Sequence, residues 1–388
     1  MSRRLPDRPN VAIVTSPFSA PAGPAILSNY IEQLKPITGQ MYIVTEKSFD
    51  TGEEDVHIIG VAAPIAQREP LLIRAAKFLL TQLATSFSLL KVPRNVKVII
   101  FQIGTALYLL PILSAKLLRK KIIVFAVGRP SHVSKVEYGH IGVIFSTIFR
   151  IIENTIFSLS DSICALSKGG IHLLDLNKYE RKIAISGAQY INTDIYRINK
   201  KSENRRDLVG YTGRLDLQKG VLNFAKAIPL VLKERENTEF LIAGQGSISG
   251  EIEQVLGDNN LHHKVKLTGW IPQDEFPQLL SELKLFVLPS YEEGLPGTVQ
   301  QAMACGAVVL ATRVGGVPDL IKDNETGFLL EDNLPGTIAE NIIRALNHPK
   351  LAEIVQNARK LIEQEYSYEI MVKKCKHLLD ELTRDTKC

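Results

Sequence analysis

The chain has 388 residues, more than the roughly 250 that one hydrophobic core usually serves, so two domains of about 190 residues each are expected. Hydrophobic residues make up 45% and charged residues 22%, which excludes a disordered or fibrous chain. The formal charge of +5 is unevenly shared: residues 1–195 hold 22 Lys and Arg against 14 Asp and Glu, and residues 196–388 hold 24 against 27. The first half is therefore suited to an anionic partner.

The opening MSRRLPDRPN is basic, and the apolar residues 11–14 that follow are too few for a signal-peptide core. The four cysteines lie far apart, without a C-x-x-C pair or metal-ligand spacing, and His262 and His263 are adjacent, so their side chains diverge. A reduced, cytoplasmic protein without a bound metal is the expectation. Short β-branched runs then alternate with longer helical patterns, the sign of parallel α/β units. Strands are expected at 10–16, 40–45, 96–102, 121–127, 162–165 and 182–185, with helices at 26–34 and 145–159. Residues 98–115 carry no charge over 18 positions, the minimum for a membrane span. Gly104 and Pro111 divide them, and a strand followed by a helix is the preferred reading.

The polar run NKKSENRRD at 199–207 interrupts the pattern and reads as a linker near residue 200. A second series follows, with strands at 208–211, 239–243, 264–268, 285–288, 308–311 and 327–329. Helices are expected at 221–234, 273–282 and 298–304, and from Pro335 the chain reads as helical to its end. Domains of 1–198 and 199–365 result, with a last helix at 366–388. No repeat of 20–50 residues occurs, so solenoids are excluded.

Two stretches carry chemistry. In VGYTGRLDLQKG (209–220) a buried strand ends at Gly213, and Arg214 and Lys219 flank a short loop before a helix opens at Gly220. Two cations beside a helix N-terminus suit a diphosphate, because free N–H groups and the helix dipole also attract anions. In SYEEGLPGTVQQAMACG (290–306), Thr298 is expected to start a second helix whose N-terminus would aim at phosphate, and a carboxylate such as Glu293 suits sugar hydroxyls. FLIAGQGSISG lacks the spacing of a dinucleotide fingerprint and reads as a turn.

GYTGRLDLQKG, FLIAGQG, VKLTGWIP, LFVLPSYEEGLPGTVQQAMACGAVVLATRVGGVPDLI and NETGFLL stand in one order across residues 208–330. Together they resemble the retaining glycosyltransferases of family GT4. The resemblance implies an α/β GT-B fold, two Rossmann-like doubly wound domains facing across a cleft. It implies an N-terminal acceptor domain, a C-terminal domain for a nucleotide-sugar donor, and a last helix that packs back on the first. It assigns Arg214, Lys219 and Glu293 to catalysis, the cations neutralising the donor diphosphate. Gly213, Gly294, Leu295, Pro296, Gly297 and Thr298 would contact sugar and phosphate, and Gly269, Trp270 and Ile271 would hold the base.

Gln301 departs from the family by standing where a second Glu usually holds the ribose. A Gln keeps one acceptor oxygen but loses the charge-assisted bond. In the first half only Gly23, within residues 17–24, corresponds to the usual glycine-rich acceptor loop, and Gly128 and Arg129 stand where a His is common. The expected reaction moves a hexose from a nucleoside diphosphate sugar to a hydroxyl of a glycan or a lipid-linked acceptor. The donor is a substrate, and neither a permanent cofactor nor nucleic acid is expected. The alternative is a non-catalytic sugar-nucleotide-binding subunit, for which Gln301 is the motive. Residues 68–121 hold ten Lys and Arg against one Glu among apolar stretches. They read either as a peripheral contact with the inner face of the membrane or as a core-facing helix with a solvated basic face.

Overall fold

The computed structural model describes residues 8–17, 22–61, 70–132, 139–186 and 189–384. The chain divides into two compact units: Met1–Leu166, Ile171–Gln189 and Met371–Cys388 form one, and Ser167–Gly170 with Tyr190–Ile370 form the other.

In the first unit the strands are β1 (Val11–Val14), β2 (Met41–Glu46), β3 (Val56–Val61), β4 (Val98–Phe101), β5 (Lys121–Ala126), β6 (Ser162–Ala165) and β7 (Ile183–Ile185). They pair in the order β3-β2-β1-β4-β5-β6-β7, every pair parallel. The helices are α1 (Ala22–Leu34), α2 (Leu71–Leu89), α3 (Leu109–Leu117), α4 (Gly139–Leu159) and the short α5 (Lys168–Leu173), whose residues 168–170 belong to the second unit. Strands β1, β4 and β6 are buried along their whole length, as a sheet covered on both faces requires. One face packs Ile13, Ile100 and Ile123 against Leu27 and Tyr30 of α1 and against Cys375, Leu378 and Leu379 of the C-terminal helix. The other packs Val14, Ile99 and Val124 under Leu89 of α2, Ile112 of α3 and Phe157 of α4. The uncharged segment 98–115 thus resolves into β4, a turn at Gly104 with φ of +72° and the start of α3. Strand β3 was not expected. It is an edge strand, half-buried through its middle, and so lacks the continuous apolar run of a central strand.

In the second unit β8 (Leu208–Thr212), β9 (Glu239–Ala243), β10 (Val265–Gly269), β11 (Leu285–Leu288), β12 (Val308–Thr312) and β13 (Phe328–Leu330) pair in parallel in the order β10-β9-β8-β11-β12-β13. The helices are α6 (Val221–Glu234), α7 (Ser249–Asp258), α8 (Phe276–Glu282), α9 (Gly297–Ala304), α10 (Val317–Leu320), α11 (Pro335–Leu346), α12 (Leu351–Glu365) and α13 (Tyr368–Arg384), the last running on into the first unit. The expected linker at 199–207 is instead built into this unit. Arg205 is 3% exposed and donates to the carbonyls of Leu283 at 2.7 Å and Cys305 at 2.6 Å. Its guanidinium supplies the donors those buried carbonyls need, so the boundary between the units falls earlier, between Gln189 and Tyr190.

Candidate functional site

The site lies at the carboxyl ends of β8 to β11, where doubly wound sheets bind their ligands. Neighbouring loops there are stitched to one another. Gly213 donates to the carbonyl of Ala243, Leu215 to that of Gln245 and Gly244 to that of Gly269, at 3.0, 3.0 and 2.6 Å. Tyr291 donates to the carbonyl of Gln218 at 2.9 Å, which joins the loop after β11 to the loop after β8. Gly220 makes this junction possible. Its φ is +67°, and a Cβ there would stand 1.9 Å from the carbonyl oxygen of Pro289, so no other residue fits.

Lys219, one residue before that glycine, reaches the carboxylate of Glu293 at 2.7 Å. Ser290 Oγ donates to the same oxygen, Glu293 Oε1, at 2.6 Å. Glu293 is 8% exposed and Ser290 fully buried, so the carboxylate is held in place from two sides. Arg214 pairs with Asp216 at 2.6 Å and is 64% exposed on its side chain. The buried Tyr211 hydroxyl donates to the carbonyl of Arg214 at 2.7 Å and so fixes the turn. Burial, joined by the charges of Glu293 and Asp216, raises the Tyr211 pKa far above the usual phenol range, so this donor keeps its proton.

These residues surround a cavity of about 260 Å³, lined by Thr212, Gly213, Arg214, Lys219, Glu293 and the N-terminal residues of α9. The first residue before α9, Pro296, gives no side-chain cap, which leaves the helix's leading N–H groups to a ligand. The arrangement sets two cations and a helix N-terminus, chemistry suited to an anion, beside a fixed carboxylate with acceptor capacity. A larger cavity of about 780 Å³ reaches the starts of β8, β9 and β10 at Leu208, Glu239 and Val265, and contains none of Arg214, Lys219 and Glu293. The smaller cavity is the candidate site.

Of the residues expected there, Gly213, Arg214, Lys219, Glu293, Leu295, Pro296, Gly297 and Thr298 line the one cavity. Gly294 lies behind it and accepts from the Gly316 N–H at 2.8 Å. Gly269 ends β10, exposed Trp270 follows it, and Ile271 lines the larger cavity instead. Gln301 is not part of the lining; its Nε2 donates to Tyr196 Oη at 3.1 Å. Gly23 is corrected: it sits buried in the first turn of α1, a helix residue rather than a loop residue. Pro24 fits there because a first helical turn has spare N–H groups. Residues 18–21 of that expected loop lie outside the described ones. Arg129 is turned into its own unit, 3% exposed, near Glu153 at 3.7 Å and over the ring of Phe157. Sequence reasoning missed Ser290, whose signal was its place three residues before Glu293, and Thr212, whose buried hydroxyl has no hydrogen-bond partner.

Two doubly wound parallel sheets, with the candidate cavity at the strand ends of the second, make a GT-B fold. Residues 192–361 match the family described as Glycosyl transferases group 1. The chain is similar to an uncharacterized glycosyltransferase of Methanocaldococcus jannaschii, 28% identical over 56% of each chain. It is also similar to the alpha-D-kanosaminyltransferase of Streptomyces kanamyceticus, 31% identical over 42% of each chain. The match thus spans about half the length of these relatives. Among solved structures, HepE of Anabaena in complex with UDP superposes with a TM-score of 0.73 at 16% identity, over 95% of this chain and 99% of its own.

Proposed function

We infer that the chain transfers a hexose from a nucleoside diphosphate sugar to an acceptor hydroxyl, with retention at the anomeric carbon. The observation that carries this reading is Lys219 bonded to Glu293 at 2.7 Å, in one cavity with Arg214 and the head of α9. Lys219, Arg214 and the helix N–H groups would hold the diphosphate and stabilise the charge that builds on it as the glycosidic bond breaks. Both bonds to Glu293 end on Oε1, so Oε2 is the oxygen that would accept from a sugar hydroxyl. Trp270 and its neighbours would lie against the base. The UDP bound by HepE supports a nucleoside diphosphate as the ligand class, and GT4 resemblance supports retention. The acceptor is a glycan or a lipid-linked one, and the free, buried thiols of Cys164, Cys305 and Cys375 support a reducing, cytoplasmic setting. A non-catalytic sugar-nucleotide-binding subunit is the second reading, favoured by Gln301 turned to Tyr196.

Release of nucleoside diphosphate from UDP-, GDP- and ADP-sugars tests the first reading. Lys219→Ala should lose at least about a hundredfold in turnover. Because it also strips a partner from the buried Glu293, Arg214→Ala serves beside it. That side chain is exposed and its surface pair contributes little to the fold. Turnover unchanged in both variants would remove the phosphate site proposed here.

A further inference from the structure

The helices α2, α3 and α4 form one layer over the sheet of the first unit, α3 touching both of its neighbours. Their inner sides supply the core, as expected of amphipathic helices. Their outer sides are not polar. On α2, Leu72, Leu80 and Phe87 are 84%, 63% and 68% exposed, and positions 72, 76, 79, 83, 87 and 90 repeat at three and four residues as one apolar, solvent-facing stripe. Over 19 residues this stripe runs for about 28 Å. Leu117 on α3 is 84% exposed, and Ile144 and Ile151 on α4 are 62% and 63% exposed. Single exposed leucines are ordinary, whereas a stripe repeated on neighbouring helices marks an interaction surface.

The charge around this surface is mainly cationic, with Asp161 beside Lys116 and Asp175 beside Arg150 as paired carboxylates. Residues 70–132 contain ten Lys and Arg and no Asp or Glu. Lys77, Lys91 and Arg94 at α2 and Arg119 after α3 are exposed, while the one carboxylate of α4, Glu153, is buried and bonded to Ser131. A second copy of the chain would bring the same cations face to face, which disfavours self-association. A sheet of anionic headgroups over hydrocarbon matches both the charge and the apolar stripes. Helix α4 includes Gly142–Leu159, long and apolar enough by composition to cross a membrane. Its Ile156 and Phe157 are nevertheless core residues, so the helix lies along the sheet.

We propose that the outer face of α2, α3 and α4 docks in plane on an anionic lipid bilayer, with the leucines and isoleucines entering the headgroup boundary and the lysines and arginines engaging the headgroups. This reading stands apart from the donor site, whose residues all belong to the second unit.

The test is sedimentation of the full chain with vesicles of phosphatidylcholine alone, or of equal parts phosphatidylcholine and phosphatidylglycerol. Binding to the mixed vesicles only, weakened by added salt, is expected. Leu72→Ser/Leu80→Ser should reduce the partition coefficient at least about tenfold while leaving the melting midpoint in place, since both side chains are exposed. Two results would overturn the proposal. One is no sedimentation with mixed vesicles at low salt. The other is a concentration-dependent dimer in light scattering that the double variant dissolves, which would make a second copy the occupant.

Discussion

Glu293 Oε1 accepts from Lys219 at 2.7 Å and from Ser290 at 2.6 Å, so a diphosphate arriving at Lys219 shares that cation with a carboxylate already in place. The pairing keeps Lys219 extended into the cavity and spares the donor the entropy of ordering a long side chain. As the fifth residue of α9, at the start of its second turn, Gln301 presents an amide whose Nε2 donates to Tyr196. If the ribose is held at this position, Gln301→Glu should tighten donor binding about fivefold, because a charge-assisted bond is roughly twice as strong as a neutral one. The Tyr196 hydroxyl can donate to the new carboxylate, so the fold should be unaffected. Calorimetric titration of both forms reads the change, and an equal dissociation constant would take residue 301 out of the donor site.

Asp207, at the entry to β8, binds Arg235 at the end of α6 and Lys284 before β11, the latter at 2.8 Å. Burial alone would raise the Asp207 pKa, but the hydrogen bonds and charges of Lys284 and Arg235 outweigh it and hold the carboxyl below its ordinary value. A folded-state pKa below the unfolded one, about 3.9, gives stability that is present above that pH. It is lost as pH falls through the folded value. Asp207→Asn should therefore cost about 2 kcal/mol at neutral pH, and the gap to the parent should close in acid. Urea melts across pH would show it; a gap that persists unchanged in acid would contradict the assignment.

These same elements show what the amino-acid order reveals and what it hides. Strands β9 and β11 and helix α6 were legible to the residue because their apolar runs are continuous and their ends polar. The cavity was legible because its residues come from two contiguous stretches, 213–219 and 293–298. The boundary between units was not, because NKKSENRRD looks solvated until Arg205 meets the carbonyls of residues 78 and 100 positions away. Nor was the place of Ser167–Gly170, which join the second unit through the Gly169 N–H bonded to Asp319 at 2.8 Å. Long-range partners of this kind leave no local period. For α2 the basic, apolar composition was plain, yet only the structure shows its leucines facing outward.

At the scale of the whole molecule, the uneven charge of the chain now has locations. The first unit's stretch 70–132 holds ten cations and no carboxylate, with Lys77, Lys91, Arg94 and Arg119 exposed at its helices. The cations proposed to matter most in the second unit are two, Arg214 and Lys219, in the cavity at the head of α9. Everything proposed about catalysis depends on those two cations meeting a diphosphate. The direct measurement is calorimetric titration of the full chain with UDP-, GDP- and ADP-sugars, repeated with Lys219→Ala and Arg214→Ala. Saturable binding of one donor, weakened at least about tenfold in each folded variant, is the predicted result. Binding of none of the three, or binding indifferent to both substitutions, would contradict it.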